Sequence, residues 1–392
     1  MDYSSEYNID SLFHQLIRVS IGTQKCLSRI PTEREWGKLY MLAKKQSLIG
    51  ICFAGLQQLG ADANDGFVSI GMSEALYLTW MGMTAEIQSR GEVMNRQCID
   101  LQRILLEDGF RSCILKGQGV AALYNINHGQ NTDSGNIEGL CPEVSLGLLR
   151  QTGDIDIWLW CEGTLQKRRS KIIKYALRHS PEAKAFVHHI DCKVYGDTET
   201  ELHYLPSWFH SPVTHHRFVK WCESQAEEQM NHKMGDMTVP TISFNSVYLL
   251  IHIYRHLFQK GIGLRQLLDY YWVLKLSEEV NKDVWMKTIV SFRMKKFASA
   301  VMWIEQAVFG LDNDHLLCEP DSGGGAKLLN EIMEGGNFGQ YDRRNDYKHR
   351  NMLGQGLKNI RRNSRFLFHY PSEVLWSPIW KIMHLWLRTF SY

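Results

Sequence analysis

The sequence predicts an α+β protein in which a small mixed β-sheet lies between N-terminal and C-terminal helical regions. Apolar residues recur at helical spacing through most of the first 108 residues and again beyond residue 241. Between these regions the pattern changes to short apolar or alternating runs separated by turn residues. A chain of 392 residues also exceeds what one small core needs. We therefore divide it into an N-terminal helical region (1–108), a sheet-containing core (109–240), a helical domain (241–320) and a C-terminal tail (321–392).

The composition limits the class of protein and its partners. Apolar residues make up 44% and charged residues 22%, as in a folded globular protein. The formal net charge of +2 creates no overall field that would attract nucleic acid or a membrane. Nine scattered cysteines without a CxxC pair argue against a disulfide framework or a zinc ribbon. We see no apolar signal segment and no membrane span, so we expect a cytoplasmic, bacterial-type protein.

Two segments carry the helical pattern of the N-terminal region. In Glu33–Ser47 apolar residues keep helical spacing, and two lysines occupy the last turn, where the helix dipole favours cations. Ser73–Asp108 contains no proline and continues the same periodicity, with Gly91 as a candidate kink. We expect packed helices that act as a scaffold.

The C-terminal half is also predicted to be helical, over Val247–Gln259, Leu264–Leu276 and Val284–Phe309. Arg265 and Asp269 are spaced as an ion pair on one helix. The glycine-rich run that begins at Asp321 is interpreted as a flexible joint or an active loop.

The tail of the chain is basic first and aromatic later. This pattern favours a solvated basic face, with peripheral contact to nucleic acid or a membrane surface as the alternative. The residues concerned are Arg343, Arg344, Lys348, Arg350, Lys358, Arg361, Arg362 and Arg365, followed by Trp376, Trp380 and Trp386.

The core combines strand signals with one basic helix and a long polar segment. Asn125–Ser145 is rich in Asn, Gly, Asp and Ser, which predicts a long surface loop. A two-residue Gly196-Asp197 turn between apolar runs predicts a hairpin. The expected strands are Phe110–Leu115, Asp154–Trp160, Phe186–Tyr195 and Thr198–Leu205, and the expected helices are Val120–Tyr124 and Gln166–Arg178.

Two aspartates at the start of a predicted strand suggest metal chemistry. Asp154 and Asp156 are separated by one residue, so an extended strand places both carboxylates on one face. Like charges this close are unfavourable unless a cation lies between them, and Mg²⁺ prefers carboxylate and phosphate oxygens. The motif also occurs in haloacid dehalogenase-type phosphatases and glycosyltransferases, where an apolar strand leads into it. Here a polar turn precedes the aspartates and the apolar strand begins at them. This order of turn and strand resembles that of the polymerase-β-type nucleotidyltransferase core.

Further motifs extend this into a family resemblance over roughly residues 108–276. Together they resemble an uncharacterised nucleotidyltransferase family of the polymerase-β-type superfamily. The motifs are Leu115-Lys116-Gly117, Leu123-Tyr124, Arg150 followed by Gly153-Asp154-Ile155-Asp156, Glu201-Leu202-His203, and His252 and His256 followed by Leu264–Asp269. Lys116-Gly117 stands where the superfamily often has Gly-Ser or Gly-Gly, so a hydroxyl that could bind phosphate is missing.

The resemblance implies transfer of a nucleoside monophosphate from an NTP to an acceptor, supported by two Mg²⁺ ions, with Mn²⁺ as an alternative. It implies Asp154, Asp156 and Glu201 as the catalytic and metal-binding carboxylates. Glu199 rivals Glu201, because strand alternation places both on one face. The expected nucleotide-binding residues are Lys116, Gly117, Gly119, Arg150 and His203.

Each of these residues also has a structural interpretation. Arg150 could equally pair with a nearby acid, and His203 could be an ordinary polar-face histidine. His252 and His256 have metal-binding spacing, but without a third soft ligand we favour packing or substrate contact.

The acceptor could be a small molecule, a protein or an RNA, the last by similarity to toxin nucleotidyltransferases. The alternative function is a non-catalytic nucleotide sensor or assembly protein.

Overall fold

The computed structural model describes residues 3–61, 70–124, 145–196, 198–342 and 360–390. Within them a small mixed sheet is preceded and followed in the chain by helices, which confirms the predicted α+β class. The predicted loop Asn125–Ser145, apart from its last residue, lies outside the described residues, as do Asp197 and the basic residues between 343 and 359.

Among the described residues, five strands form the main sheet in the order β1-β2-β5-β4-β3. Strands β2 and β5 are parallel, and the other neighbours are antiparallel. The strands are β1 (Arg111–Ile114), β2 (Ile155–Trp160), β3 (Lys184–Ala185), β4 (His189–Tyr195) and β5 (Thr198–His203). A separate two-stranded ribbon consists of β6 (Lys233–Met234) and β7 (Met237–Thr238).

The register of the sheet creates a polar row across three strands. Asp156 on β2 lies opposite Glu201 on β5, which in turn lies opposite Asp191 on β4. Since side chains alternate along a strand, these three carboxylates share one face. The residues that alternate with these carboxylates along the strands, such as Ile157 and Leu202, are fully buried against the core. The central strands therefore present one apolar and one polar face.

Where the structure describes the first 108 residues, it shows four helices: α1 (Tyr3–Ser20), α2 (Glu33–Gln46), α3 (Ile49–Ala61) and α4 (Glu74–Glu107). Helix α2 begins at a capping box in which Thr32 and Glu35 satisfy each other's backbone N–H groups. The predicted long helix is confirmed, and it continues through Gly91. A Cβ at Gly91 would lie 3.0 Å from the Leu148 carbonyl oxygen, so the glycine permits close packing of residues 146–149.

Three further helices lie between strands in the described part of the chain. They are α5 (Gln118–Ala121), α6 (Leu165–His179) and α7 (Pro212–Gln229). Helix α6 confirms the predicted basic helix, whereas α7 was not predicted. Its start has clear signals, because Ser211 accepts from the Thr214 N–H and a proline occupies the first turn.

The C-terminal helices are α8 (Ile242–Gln259), α9 (Leu264–Leu274), α10 (Lys282–Ser291), α11 (Lys295–Phe309), α12 (Ser322–Gly335) and a C-terminal helix, Pro371–Phe390. Two expectations were wrong here. The predicted helix Val284–Phe309 is divided into α10 and α11, because Arg293 adopts the left-handed conformation with φ 60°. The glycine-rich run is no loop: Asp321 accepts from the Gly324 N–H and caps α12.

Helices from both ends of the chain pack against each other. The Arg18 side chain on α1 donates from Nη2 to the Ala307 carbonyl (2.6 Å) and from Nε to the Val308 carbonyl (3.0 Å). These contacts cover the C-terminal carbonyls of α11, which have no partner within the helix. The four-part division of the chain stays a prediction. No helix among the described residues has the length and apolar character needed to cross a bilayer.

Candidate functional site

Both aspartates of the predicted motif border the same polar cavity. Asp156 lies in β2 and is 1% exposed, whereas Asp154 precedes the strand and is partly exposed. The cavity measures about 30 Å³ and is also lined by Lys116, Gly117 and Arg265. This volume holds about one water molecule or ion. The predicted residues of β2 and of the segment after β1 therefore meet around a site of ionic size.

Lys116 places a positive charge directly beside Asp156. Its Nζ lies 2.9 Å from Oδ2 of Asp156. Burial lowers the pKa of Lys116, but the charges of Asp156, Asp154 and Glu201 outweigh it and hold the pKa above its ordinary value. Lys116 is thus a fixed cation among three carboxylates. This contact places the side chain at the predicted site.

The two glycines after Lys116 have different roles. Gly117 has φ 63° and ψ −111°, a backbone conformation that favours glycine, and it precedes the single turn of α5. Its backbone lines the cavity. Gly119 is buried, and a Cβ there would lie 2.3 Å from the Ile114 carbonyl oxygen. The structure therefore places Gly117 at the cavity and Gly119 in packing against β1.

Arg150 is paired inside the protein. Its Nε and Nη2 each donate to one oxygen of Asp269 at 2.6 Å, and Tyr124 donates to the same carboxylate at 2.8 Å. Of the two interpretations of Arg150, the structure shows the pairing with an acid. The expected Arg265–Asp269 ion pair is not what forms, since Arg265 donates to the Gln151 carbonyl at 2.6 Å instead. Arg265 is thereby directed toward the cavity, a role that its sequence context did not indicate.

Glu201 and His203 complete the polar face on β5. Nε2 of His203 lies 3.0 Å from Oδ1 of Asp156 and 3.2 Å from Oε2 of Glu201. Burial lowers the pKa of His203, but its hydrogen bonds to the two carboxylates raise the pKa to about 9. Burial raises the pKa of Glu201, but the hydrogen bond from His203 and the charge of Lys116 lower it to about 2. His203 therefore bridges two carboxylates in this structure.

A large groove adjoins the small cavity. It measures about 1120 Å³ and runs along α4 to the start of β5, with Asp154 and Gly153 common to the groove and the cavity. Glu86 and Arg90 contribute charged side chains from α4, and the exposed Glu199 contributes one from β5. Asp154 therefore stands at the junction between an ion-sized cavity and a groove large enough for a nucleotide. Glu199 borders the groove, while Glu201 lies beside Asp156.

His252 and His256 lie behind the cavity on α8. His252 lines the cavity, and the two imidazole rings are 4.3 Å apart. Burial lowers the pKa of both side chains, with a further contribution from neighbouring positive charge. Among the described residues, neither belongs to a cluster of three or more metal-ligating groups. Packing near the cavity is the role that the structure shows for them.

Three functional candidates were missed in the sequence: His188, His189 and Asp191. His189 and Asp191 alternate on β4, so they share the face that carries Glu201. Nε2 of His189 lies 2.9 Å from Oδ1 of Asp191 and 3.9 Å from Oε2 of Glu201. The alternation was visible in the sequence, but the register that brings β4 beside β5 was not.

The described residues contain three overlapping clusters whose potential ligand atoms lie within 4.8 Å of one another. They are Asp156, Glu201 and His203; His189, Asp191 and Glu201; and His188, His189 and His203. Asp154 belongs to none of them.

No protein-family model, curated protein or solved structure matches the chain.

Proposed function

We propose that the protein is a Mg²⁺-dependent nucleotidyltransferase that transfers a nucleoside monophosphate from an NTP to an acceptor. One observation carries the proposal: Asp154 and Asp156 border the same ion-sized cavity, and Asp154 also borders the large groove. Lys116 and the backbone of Gly117 line the cavity and are suited to bind phosphate oxygens. The family resemblance of these segments supports the same chemistry.

The donor set fits a magnesium ion in its chemistry. Asp154, Asp156 and Glu201 offer carboxylate oxygens, which Mg²⁺ prefers together with substrate phosphates. Lys116 competes for Asp156 in this structure, because it occupies one of the two carboxylate oxygens. When bound, the ion would neutralise charge that develops on the transferred phosphoryl group.

The proposed reaction is a single displacement at the α-phosphorus. The acceptor oxygen forms a bond to phosphorus, the bond to the bridging oxygen breaks, pyrophosphate leaves, and the acceptor proton passes to water. Because its pKa is lowered to about 2, Glu201 is suited to hold a cation and poorly suited to accept that proton. Since its carboxylate also lies within one group of potential ligands with Asp156 and His203, we assign Glu201 to metal binding. The acceptor is a small molecule, a protein hydroxyl or an RNA end.

The second candidate function is nucleotide binding without turnover. It is favoured by the state of Asp156, whose Oδ2 contacts Lys116 and whose Oδ1 contacts His203. A carboxylate with both oxygens engaged by basic groups has less capacity for metal ions than a free one. A protein with this arrangement could sense nucleotides through the groove and leave them intact.

The proposal is tested by incubating the protein with α-labelled NTPs, Mg²⁺ and a cell extract. We expect label to appear in an acceptor with the wild-type protein and to fall at least about 100-fold in Asp154→Asn. Glu162→Gln is the matched control, because it neutralises an exposed carboxylate just after β2 that lines neither the groove nor the cavity. We expect Glu162→Gln to retain near wild-type transfer.

Undiminished labelling by Asp154→Asn would remove the assignment. If no labelled product forms, but calorimetry detects NTP binding that Asp154→Asn weakens, the second candidate is correct.

A further inference from the structure

We infer that His188, His189 and His203 form a second metal site, suited to a transition-metal ion of the Zn²⁺ type. The site lies on the β4–β5 side of the sheet, beside the carboxylates of the proposed nucleotidyltransferase centre. It uses nitrogen ligands, and two of its three residues have no role in the proposed transfer. The inference therefore stands whether or not the protein transfers nucleotides.

The three imidazoles converge closely enough to share an ion. One ring nitrogen from each residue lies within 4.8 Å of the others. Nδ1 of His189 lies 3.2 Å from Nε2 and 3.3 Å from Nδ1 of His188. Two nitrogen ligands on a tetrahedral zinc ion, each about 2.0–2.1 Å from the metal, are about 3.3 Å apart. The His188–His189 spacing already matches that value.

Carboxylate oxygens lie close to Nε2 of two of the imidazoles. The contact of His203 with Asp156 is a hydrogen bond, whereas the contact of His189 with Asp191 lacks hydrogen-bond geometry. Nε2 of His189 lies 2.9 Å from Asp191, and Nε2 of His203 lies 3.0 Å from Asp156 and 3.2 Å from Glu201. Metal-ligating histidines usually donate their second ring N–H to a carboxylate, which orients the ring. In both residues this contact leaves Nδ1 as the nitrogen available to a metal.

A buried atom without a partner points to a missing ligand. Nδ1 of His203 has no hydrogen-bond partner among the described residues, although the residue is only 2% exposed. Leaving a buried polar atom unsatisfied costs about 1–3 kcal/mol, so native structures rarely tolerate it. A bound ion would replace the proton on this nitrogen and satisfy it.

The backbone holds the histidines in place before any ion binds. The His188 carbonyl accepts from the N–H groups of Tyr204 at 3.0 Å and Leu205 at 3.2 Å. Because His203 directly precedes Tyr204, these bonds tie His188 to the end of β5. The Phe186 N–H donates to the His189 carbonyl at 2.8 Å. The ligands therefore come from fixed backbone and not from a free loop.

The donor type and local charge select the ion. Imidazole nitrogen suits zinc, copper or nickel, whereas Mg²⁺ prefers oxygen. Asp156, Asp191 and Glu201 surround the histidines, and Lys116 supplies an opposing charge at Asp156. Three carboxylates and one lysine carry a net negative charge, which favours a divalent cation. Three protein ligands leave a fourth position for water or another small ligand.

The test titrates the metal-free, full-length protein with Co²⁺, whose tetrahedral complexes absorb in the visible range. We expect one equivalent of Co²⁺ to produce such a band and Zn²⁺ to displace it. His188→Ala and His189→Ala should each abolish the band. Asp191→Asn keeps all three imidazoles, so it should only weaken metal affinity, by about 10–100-fold.

Two controls make the outcome specific. His216→Ala removes an exposed imidazole outside the cluster and should leave Co²⁺ binding unchanged. Asp154→Asn should lose nucleotidyl transfer but keep the Co²⁺ band, so failure of one proposal is separable from failure of the other. Absence of the band in the wild-type protein, or unchanged binding in both His188→Ala and His189→Ala, would overturn the site.

Discussion

At the scale of single residues, a buried ion pair shows how the protein accommodates charged groups in its interior. Arg150 and Asp269 are each nearly inaccessible, and they satisfy each other through two hydrogen bonds with help from Tyr124. Breaking such a pair leaves an uncompensated buried charge, which is strongly destabilising. Arg150 therefore ties the segment that precedes β2 to α9.

Glu305 on α11 is buried differently. The residue is 0% exposed, and neither carboxylate oxygen has a hydrogen-bond partner among the described residues. Burial raises the pKa of the Glu305 carboxyl well above its ordinary value. The folded protein therefore retains a proton on Glu305 at a pH where the unfolded chain has released it.

This difference predicts a pH-dependent stability effect. The contribution of Glu305 is fully present below its unfolded pKa of about 4.5 and declines as pH rises toward the folded pKa. Glu305→Gln removes the titration, so the stability advantage of the variant should grow by about 1.4 kcal/mol per pH unit within that window. Urea unfolding of both proteins between pH 5 and pH 8 measures it. A constant difference across this range would contradict the prediction.

At the scale of elements, the glycines of α12 differ in how closely other residues pack against them. A Cβ added at Gly325 would lie 2.5 Å from the Trp303 ring, so α12 and α11 approach closely there. At Gly323 the nearest atom would be 3.6 Å away, an ordinary contact. Gly325 therefore has no room for a larger side chain, whereas Gly323 in the same helix has room for a methyl group.

These neighbours make a matched pair of variants. Gly325→Ala should destabilise the protein by about 1–3 kcal/mol, because the added methyl group forces a shift in the packing. Gly323→Ala should stabilise it by about 0.5 kcal/mol, since alanine favours helix more than glycine. Denaturant unfolding of the two variants provides the measurement. Equal effects of the two substitutions would show that the contact between α11 and α12 does not limit the size of the side chain at position 325.

The β4–β5 hairpin is the element on which both proposed metal sites depend. It carries Glu201 and His203 on one strand and His189 and Asp191 on the other. A slip of one residue in its register would turn these side chains to the opposite face. The hairpin register therefore decides whether either metal site exists.

At the scale of the whole molecule, a buried ionic cluster attaches the C-terminal helix to α8. Arg255 on α8 contacts both Glu373 of the C-terminal helix and His210 before α7. Trp208 and Trp380 stack above it with ring centroids 4.1 Å apart, and the Arg255 guanidinium lies 3.7 Å from the centre of the Trp208 ring. Burial raises the pKa of Glu373, but Arg255 and His210 lower it below its ordinary value.

Removing the acid should release this helix. We expect Glu373→Gln to cost about 3–5 kcal/mol, because Arg255 would remain buried without its counter-charge. Amide hydrogen exchange should rise first over the C-terminal helix, which a global loss of stability alone would not produce. Glu331→Gln affects a half-buried pair with Arg365 and should cost less than about 1 kcal/mol. If both variants behave alike, the cluster does not anchor the helix.

The sequence by itself determined the features that depend on local periodicity. The apolar spacing of α4 and the alternation in β2 are repeated along neighbouring residues, so their elements could be predicted without the fold. Asp154 and Asp156 are close enough along the chain to reach one cavity, although Asp154 precedes β2 and does not belong to the strand as predicted. The left-handed Arg293 between α10 and α11 was missed, because no sequence signal in the segment marks it.

Only the tertiary structure decided which distant residues meet. Arg150 is hydrogen-bonded to Asp269, which lies 119 positions later in the sequence. His189 lies beside His203 because β4 pairs with β5 in one particular register. A long-range contact depends on how the whole chain closes, so no local pattern specifies it. For the same reason Asp154, Asp156, Glu201 and His203 were predicted from the chain, while His188, His189 and Asp191 were recognised beside them only in the folded structure.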